Sequence, residues 1–440
     1  MATLAPIEAV ARARGYGHAV LSFVAVDGYP SSVAADLAAA PDSATVELGP
    51  LAGDVLPDGG QQVCVTVSHI RPQPGVGYDE RRYVNLWGTA TIAGDRVRVD
   101  VTRAGGWDEQ DVPFLEYAER NVPAAHEYFD EVGARPRLST WWKVFLATRL
   151  PFLTATIVPI ALAGAVAARD DRFSWGWWLL ALLAGCAVHL GLNIANDLFD
   201  DASGADAANM NPTPFSGGSR VIQYGLVSRR QMLVACVVLY SVAVGLGFFL
   251  AATRGWWLLA IGATGVVLSV VYSAPPLRLV HRGLGEPVTA LGFGPVMTIG
   301  AYWVVAERWS WEAIYVSLPI ALLVALVLYV NEIPDRGGDA AAGKRTLPVR
   351  WPSSRVIAAY VVTAATAFGL VLVGGLFGPL PLWALLGLLA APLAVRVARG
   401  LRAHYDSPYE LIPAMQTNIG LHLFTGLLLL AGYLVDLAVR

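Results

Sequence analysis

Cysteine is scarce in this chain: 440 residues contain only Cys64, Cys186 and Cys236. They form no CxxC pair and no even framework, which excludes a disulfide scaffold and a structural zinc site. Charge is scarce too. Charged residues make up 15% of the chain and hydrophobic residues 55%, with a formal net charge of −3. That is too apolar for an ordinary soluble protein, and so small a net charge gives no basis for nucleic-acid binding. The opening MATLAPIEAVARARGYGHAV lacks an apolar stretch of signal-peptide length. The N-terminal part is therefore expected to stay in the cytoplasm.

The poverty of charge is uneven. Residues 1–140 alternate polar with apolar at ordinary charge density, whereas long apolar runs begin at about Phe145. Two parts are expected: a soluble domain over 1–135 and an all-α integral membrane domain over 136–440. A membrane span needs about 20 mostly apolar residues. Nine stretches qualify, near 147–168, 175–195, 231–251, 255–274, 287–306, 312–330, 355–376, 379–396 and 418–438.

The loops between them alternate in basic charge. One side holds Arg135, Arg137, Lys143 and Arg149, then Arg220, Arg229 and Arg230, then Arg278 and Arg282. It continues with Arg336, Lys344, Arg345 and Arg350, and with Arg396, Arg399 and Arg402. The other side holds Arg169, Arg172, Arg254, Arg308 and Arg440. The positive-inside rule assigns the first set, and the N-terminal domain, to the cytoplasm and the C-terminus to the opposite side. Trp175, Trp177, Trp178, Trp256, Trp257 and Trp311 fall at the non-cytoplasmic ends, where interfacial anchoring accounts for them.

Two acidic clusters stand at cytoplasmic helix ends. NIANDLFDDASGAD (193–206) carries Asp197, Asp200 and Asp201 at i, i+3 and i+4, then Asp206. NEIPDRGGDAAAGKRTLPVRW (331–351) carries Asp335 and Asp339 four apart. Each spacing puts its carboxylates on one helical face, and Asn193, Asn196 and Asn331 back them. Oxygen donors of this kind suit Mg²⁺, which takes few protein carboxylates and fills its shell with water and phosphate oxygens. Arg220, Arg278, Lys344 and Arg345 add cations suited to phosphate. A diphosphate held at the mouth of an apolar bundle implies a charged head on a long apolar tail, a polyprenyl diphosphate. An ion-coupled transporter also places carboxylates in membranes, but near the midplane and in repeated halves. His189, His281, His404 and His422 read as packed or interfacial histidines.

These residues resemble the UbiA superfamily of intramembrane prenyltransferases, with nine transmembrane helices and two Asp-rich motifs. Asn196-Asp197-Leu198-Phe199-Asp200 is similar to the opening of the first motif and Asp335-Arg336-Gly337-Gly338-Asp339 to the second. Position 204 is Gly where the simplest first motif has Asp, and the acid comes at Asp206. That form, with AGKRTLPVR after the second motif, resembles the 1,4-dihydroxy-2-naphthoate branch, which forms menaquinone. KVFLATRLPFLTATIVPIALAG, NPTPFSGGSRVIQ and YSAPPLRLVHRGLGE also resemble family segments. The likeness covers roughly residues 140–440.

The resemblance implies Mg²⁺ on Asp197, Asp200, Asp335 and Asp339, with Asp201 and Asp206 as further ligands. It implies Asn193 and Asn196 at the head group, Arg220, Lys344 and Arg345 as phosphate clamps, and Arg278 and Tyr272 as clamp or cation shield. An allylic cation would form and be captured by an electron-rich aromatic carbon, with CO₂ lost from a naphthoate. Related members use 4-hydroxybenzoate, homogentisate or phosphorylated polar acceptors, and motif spacing does not choose among these. Nor does it set prenyl length or oligomeric state.

The N-terminal part reads as mainly β. HAVLSFVAVDGYP, SATVELGPL, QQVCVTVSHI, RRYVNLWGTATIAG and DRVRVDVTRA are β-rich runs. Turn signals at Asp27-Gly28, Pro57-Asp58-Gly59-Gly60 and Ala93-Gly94-Asp95 separate them. A helix follows over about 113–131, and the spacing suggests a small barrel. VDGYP, WGTATI and the closing helix resemble the split-barrel flavin-binding domains related to pyridoxamine phosphate oxidase. That likeness implies FMN, its phosphate met by Ser68, Arg71, Arg81 or Arg82. The domain would be a redox partner, or a barrel that has lost its cofactor and serves assembly.

Overall fold

A computed structural model of the chain describes residues 2–440 except 17, 27–28, 40–42, 50, 52–55, 74–76 and 132–137. The Asp27-Gly28 turn, Arg135, Arg137 and the expected 135/136 junction lie outside the described residues. The chain divides into two compact units, Met1–Ala124 and Ala125–Arg440.

The first unit is mainly β. Its strands are β1 (Ala2–Leu4), β2 (His18–Val24), β3 (Pro30–Ala35), β4 (Leu37–Ala39), β5 (Thr45–Leu48), β6 (Gln62–Gln73), β7 (Gly77–Ala93) and β8 (Arg96–Asp108). They form one eight-stranded antiparallel sheet in the order β3-β2-β6-β7-β8-β5-β4, with β1 paired to β8. Period-2 alternation sets the core face. Leu21 and Phe23 of β2, Val63, Val65 and Val67 of β6, and Val97 and Val99 of β8 all point inward. Helix α1 (Pro6–Ala13) adds Ala9, Val10 and Ala13 to the same core. The single helix expected over 113–131 is two: α2 (Phe114–Arg120) and α3 (Val122–Glu131). Asn121 divides them, its amide donating to the Tyr117 carbonyl at 2.6 Å, and Pro123 follows, a residue suited to a helix start.

The second unit is helical. After α4 (Thr140–Ala147) come eight helices of 20–31 residues, each apolar and long enough to cross a membrane. These are Leu150–Arg169, Trp175–Ser203, Arg229–Arg254, Gly285–Ala306, Trp311–Ala341, Ser353–Phe377, Leu382–His404 and Ile412–Val439. Where a ninth span was expected near 255–274, an apolar helix of 16 residues runs from Leu258 to Ser273. Ile160, Tyr302, Val316, Ile320, Leu429 and Tyr433 pack inward, while Val234, Val237, Val238, Phe248 and Val362 stay exposed on the outer faces. An apolar outer surface suits lipid as solvent, and the unit is that of an integral membrane protein. Trp175, Trp256 and Trp311 are exposed at helix ends, as anchoring requires, but Trp177, Trp178 and Trp257 are partly buried.

At the end of the bundle away from the acidic clusters, Arg169 ties three segments together. Its guanidinium lies 2.7 Å from Glu312 and 2.9 Å from Asp436, and donates to the Pro379 carbonyl at 3.3 Å. Removing a cation shared by two mostly buried acids costs about 3 kcal/mol. Arg169→Met is therefore expected to lower the melting temperature in detergent. Adding Glu312→Gln and Asp436→Asn should restore most of the loss.

Candidate active site

The Trp175–Ser203 helix ends at Gly204, whose left-handed backbone (φ 77°) makes the C-cap. Asn193, Asn196 and Asp200 recur at helical spacing and line one cavity. Across it, the Trp311–Ala341 helix presents Asn331, Glu332, Asp335 and Asp339 to the same space. The two acidic helix ends expected from the sequence therefore face a single cavity, whose deeper wall is apolar: Phe152, Leu192, Phe293, Val324 and Leu328.

Lys344 joins the clusters. The chain turns after Ala341, and the Lys344 amide donates back to the Asp339 carbonyl at 2.8 Å. Its ammonium lies 2.7 Å from Asp200 Oδ1 and 3.3 Å from Asp339 Oδ1. Burial works against this charge, but Asp200 and Asp339 outweigh it and hold its pKa above the ordinary lysine value.

The loop after the first helix closes over the second cluster. Asn209 Nδ2 donates to Asp335 Oδ1 at 2.8 Å, and the Gly217 amide donates to Asp335 Oδ2 at 2.9 Å. Gly217 and Gly218 both stand at φ 77°, a conformation glycine adopts without strain. A Cβ on Gly218 would also come within 2.8 Å of the Asp206 carboxylate. Asp206 lines the cavity just past the spanning helix. Burial first, then the charges of Asp200 and Asp197, push its carboxyl up to about 8, against the pull of Arg149 and Arg220.

Other sequence candidates are placed elsewhere. Asp197 is buried at the helix end but is held by the Arg149 guanidinium and approached by the Ser219 amide at 3.3 Å. Asp201 bonds Arg229 and takes a hydrogen bond from Gln223 at 3.1 Å. It turns away because one residue's advance rotates a side chain about 100° around the helix. Arg220 donates to the Asp206 carbonyl, fixing the loop. Arg278 and Arg345 do not line the cavity, whereas Tyr272 does. The Arg345 amide donates to the His281 carbonyl at 2.9 Å. His189 bonds Thr156 at 2.8 Å and packs edge-on against Phe293, forming cavity wall. Arg149 was not a sequence candidate: it reads as one more basic residue before a span, although it stands directly before Leu150-Pro151.

Among the described residues, no three acidic side chains converge tightly enough to cage a metal ion alone. The acidic side chains that line the cavity are Asp200, Asp206, Glu332, Asp335 and Asp339, with the amides of Asn193, Asn196 and Asn331 beside them, a set rich in oxygen donors. Such a set fits Mg²⁺ that shares its shell with a phosphorylated substrate, and Lys344 supplies part of the positive charge the clusters demand.

In the β unit, Ser68 lies on β6 opposite Tyr83. Arg71 pairs with Glu80 at 3.0 Å, Arg81 binds Glu109 through two nitrogens, and Arg82 lies over the Tyr16 ring. These attachments leave the FMN reading without a structural argument.

The UbiA prenyltransferase family profile matches residues 157–419. Over 302 residues the chain is 30% identical to 1,4-dihydroxy-2-naphthoate octaprenyltransferase of Mycobacterium tuberculosis, covering 69% of this chain and 95% of that one. Over 293 residues it is 26% identical to 2-carboxy-1,4-naphthoquinone phytyltransferase of Synechocystis, covering 66% and 93%. A UbiA homolog from Archaeoglobus fulgidus, solved bound to DMAPP and Mg²⁺, aligns with TM-score 0.49 and 14% identity over 66% of this chain and 99% of that one. With its two acidic helix ends on one cavity and a family match over more than half its length, the chain belongs to the UbiA prenyltransferase family.

Proposed function

We propose that this prenyltransferase moves a polyprenyl group from polyprenyl diphosphate to 1,4-dihydroxy-2-naphthoate, with Mg²⁺ required. The observation that carries the diphosphate site is Lys344 bridging Asp200 and Asp339 across the cavity, at 2.7 and 3.3 Å. The acceptor is supported by the relatives in Mycobacterium tuberculosis and Bacillus subtilis, both 1,4-dihydroxy-2-naphthoate octaprenyltransferases.

Asp200, Asp335 and Asp339, with Asp206 beside them, would hold Mg²⁺, and Asn193 and Asn196 would orient the head group. When bound, Mg²⁺ neutralises the diphosphate and makes it a better leaving group. The chain supplies the rest. Lys344 places a fixed cation where the leaving charge develops. Tyr272 and Phe293 present ring surfaces to an allylic cation. Leu192, Val324 and Leu328 take the apolar tail and keep out water that would quench the cation.

The distribution of basic residues over the loops supports a cytoplasmic side for the acidic clusters and the β unit. The Leu258–Ser273 helix would complete a ninth crossing, which puts the C-terminus opposite. For the β unit, the antiparallel sheet with its short helices supports the split-barrel reading.

The test is prenyl transfer by the purified full chain in detergent with Mg²⁺. Naphthoate, 4-hydroxybenzoate and homogentisate would be offered together and products weighed by mass spectrometry. The expected product is a prenylated naphthoate lacking the mass of CO₂. A product from another acceptor alone would overturn the naphthoate assignment.

A further inference from the structure

Two buried glutamates, one lining the cavity and one beside it, are not used by the diphosphate site proposed above. Glu332 precedes Asp335 by three residues and Asp339 by seven, so it shares their helical face one turn or more deeper. It lines the cavity and is 6% exposed. Glu286, in the first turn of the Gly285–Ala306 helix, is 9% exposed. Their carboxyl groups are neighbours. No N–H or O–H of another described residue reaches any of the four oxygens. The Asn331 Oδ1, also facing the cavity, is likewise without a donor. Buried acids are ordinarily supplied with hydrogen-bond donors or cations. Glu332 feels the charges of Asp339 and Lys344, yet a cavity-facing acid whose oxygens have no donor is set up to exchange a proton with a ligand that carries O–H groups.

We propose that Glu332 is the catalytic base toward the hydroxyl of the aromatic acceptor, and that Glu286 is the positioning residue sharing its proton. This rests on the naphthoate reading above. As the allylic C–O bond breaks, its electron pair leaves with the diphosphate. The acceptor's hydroxyl proton passes to Glu332, the oxygen becomes a carbonyl, and the ring carbon bearing the carboxylate forms the bond to the prenyl carbon. The resulting β-keto acid loses CO₂, and the electron pair of that C–C bond regenerates the aromatic ring. The proton returns from Glu332 to the ring oxygen. Glu332 thus borrows one proton and returns it, and no other co-reactant is needed.

The test compares wild type, Glu332→Gln, Glu332→Asp and Glu286→Gln in detergent with Mg²⁺, geranylgeranyl diphosphate and 1,4-dihydroxy-2-naphthoate, across a pH series. At neutral pH, Glu332→Gln is expected to lower kcat about 100-fold, as loss of a general base does, with KM for the diphosphate nearly unchanged. The deficit should shrink as pH rises toward the hydroxyl's own pKa, because the acceptor then ionises unaided. Glu332→Asp should recover part of the rate, and Glu286→Gln should show a smaller loss with the same pH trend. A Glu332→Gln rate within about threefold of wild type would overturn the proposal. So would a loss independent of pH and equal in Glu332→Asp. If Glu332→Gln melts below the assay temperature, the pH trend of Glu286→Gln decides. Wild type forming no naphthoate product would instead refute the acceptor reading, and this proposal with it.

Discussion

Asp335→Asn is expected to lower kcat/KM for prenyl transfer about 10³-fold, or about 4 kcal/mol of transition-state stabilisation. The substitution keeps the size of the side chain and removes its charge. Asp335 accepts from Asn209 at 2.8 Å and from the Gly217 amide at 2.9 Å, so one carboxylate both serves the proposed cation site and docks the loop over it. Charge-assisted bonds of this kind are roughly twice as strong as neutral ones. The Mg²⁺ concentration giving half-maximal rate should rise in the variant, and Asp200→Asn should behave alike. Because the two acids act on one diphosphate, the double variant should be little worse than either single one. Initial rates against Mg²⁺ concentration, with a chelator control, check each statement.

Lys344→Met is expected to be the most destabilising single change at the site when metal is withheld. It removes the ammonium from between Asp200 and Asp339, all three side chains being about 10% exposed or less. Breaking a buried pair from one side costs about 3–5 kcal/mol, because the remaining charges lose their partner. The melting temperature should therefore fall markedly in chelator. Mg²⁺ should then raise it more in the variant than in wild type, since the cation replaces a missing charge instead of competing with one. Transfer should still be about 100-fold slower with saturating Mg²⁺, because the fixed cation at the leaving group is gone. Thermal melts with and without Mg²⁺, paired with rates, separate the two effects. Lys344→Arg, which keeps the charge, should lose far less stability.

The acidic clusters were legible because helical spacing and position at a span's end are both sequence properties. Asn196, Asp200, Asp335 and Asp339 lie where that spacing puts them. Asp201 has the same residue type and a neighbouring position, yet the helix turns it toward Arg229. Arg149 was hidden for the opposite reason: its bond to Asp197 bridges 48 residues, and its local sequence says only that a span is about to begin. Gly217 was legible as part of a family-like loop, but the hydrogen bond its backbone N–H donates to Asp335 spans 118 residues, and backbone donors leave no mark in composition. In the β unit, β2, β5, β6, β7 and β8 lie in runs that were readable from the sequence. β1, β3, β4 and α1 were not singled out, since three-residue strands, a six-residue strand of small residues and one eight-residue helix carry few periods.

The most direct measurement of the central claim is equilibrium binding of a non-reactive prenyl thiolodiphosphate to the full chain, with and without Mg²⁺, in wild type, Asp200→Asn and Asp335→Asn. Two acidic helix ends that jointly hold a metal-bound diphosphate predict binding that needs Mg²⁺. They also predict about 100-fold weaker binding when either carboxylate is neutralised. Binding that survives chelation, or that neither substitution weakens, would contradict the account.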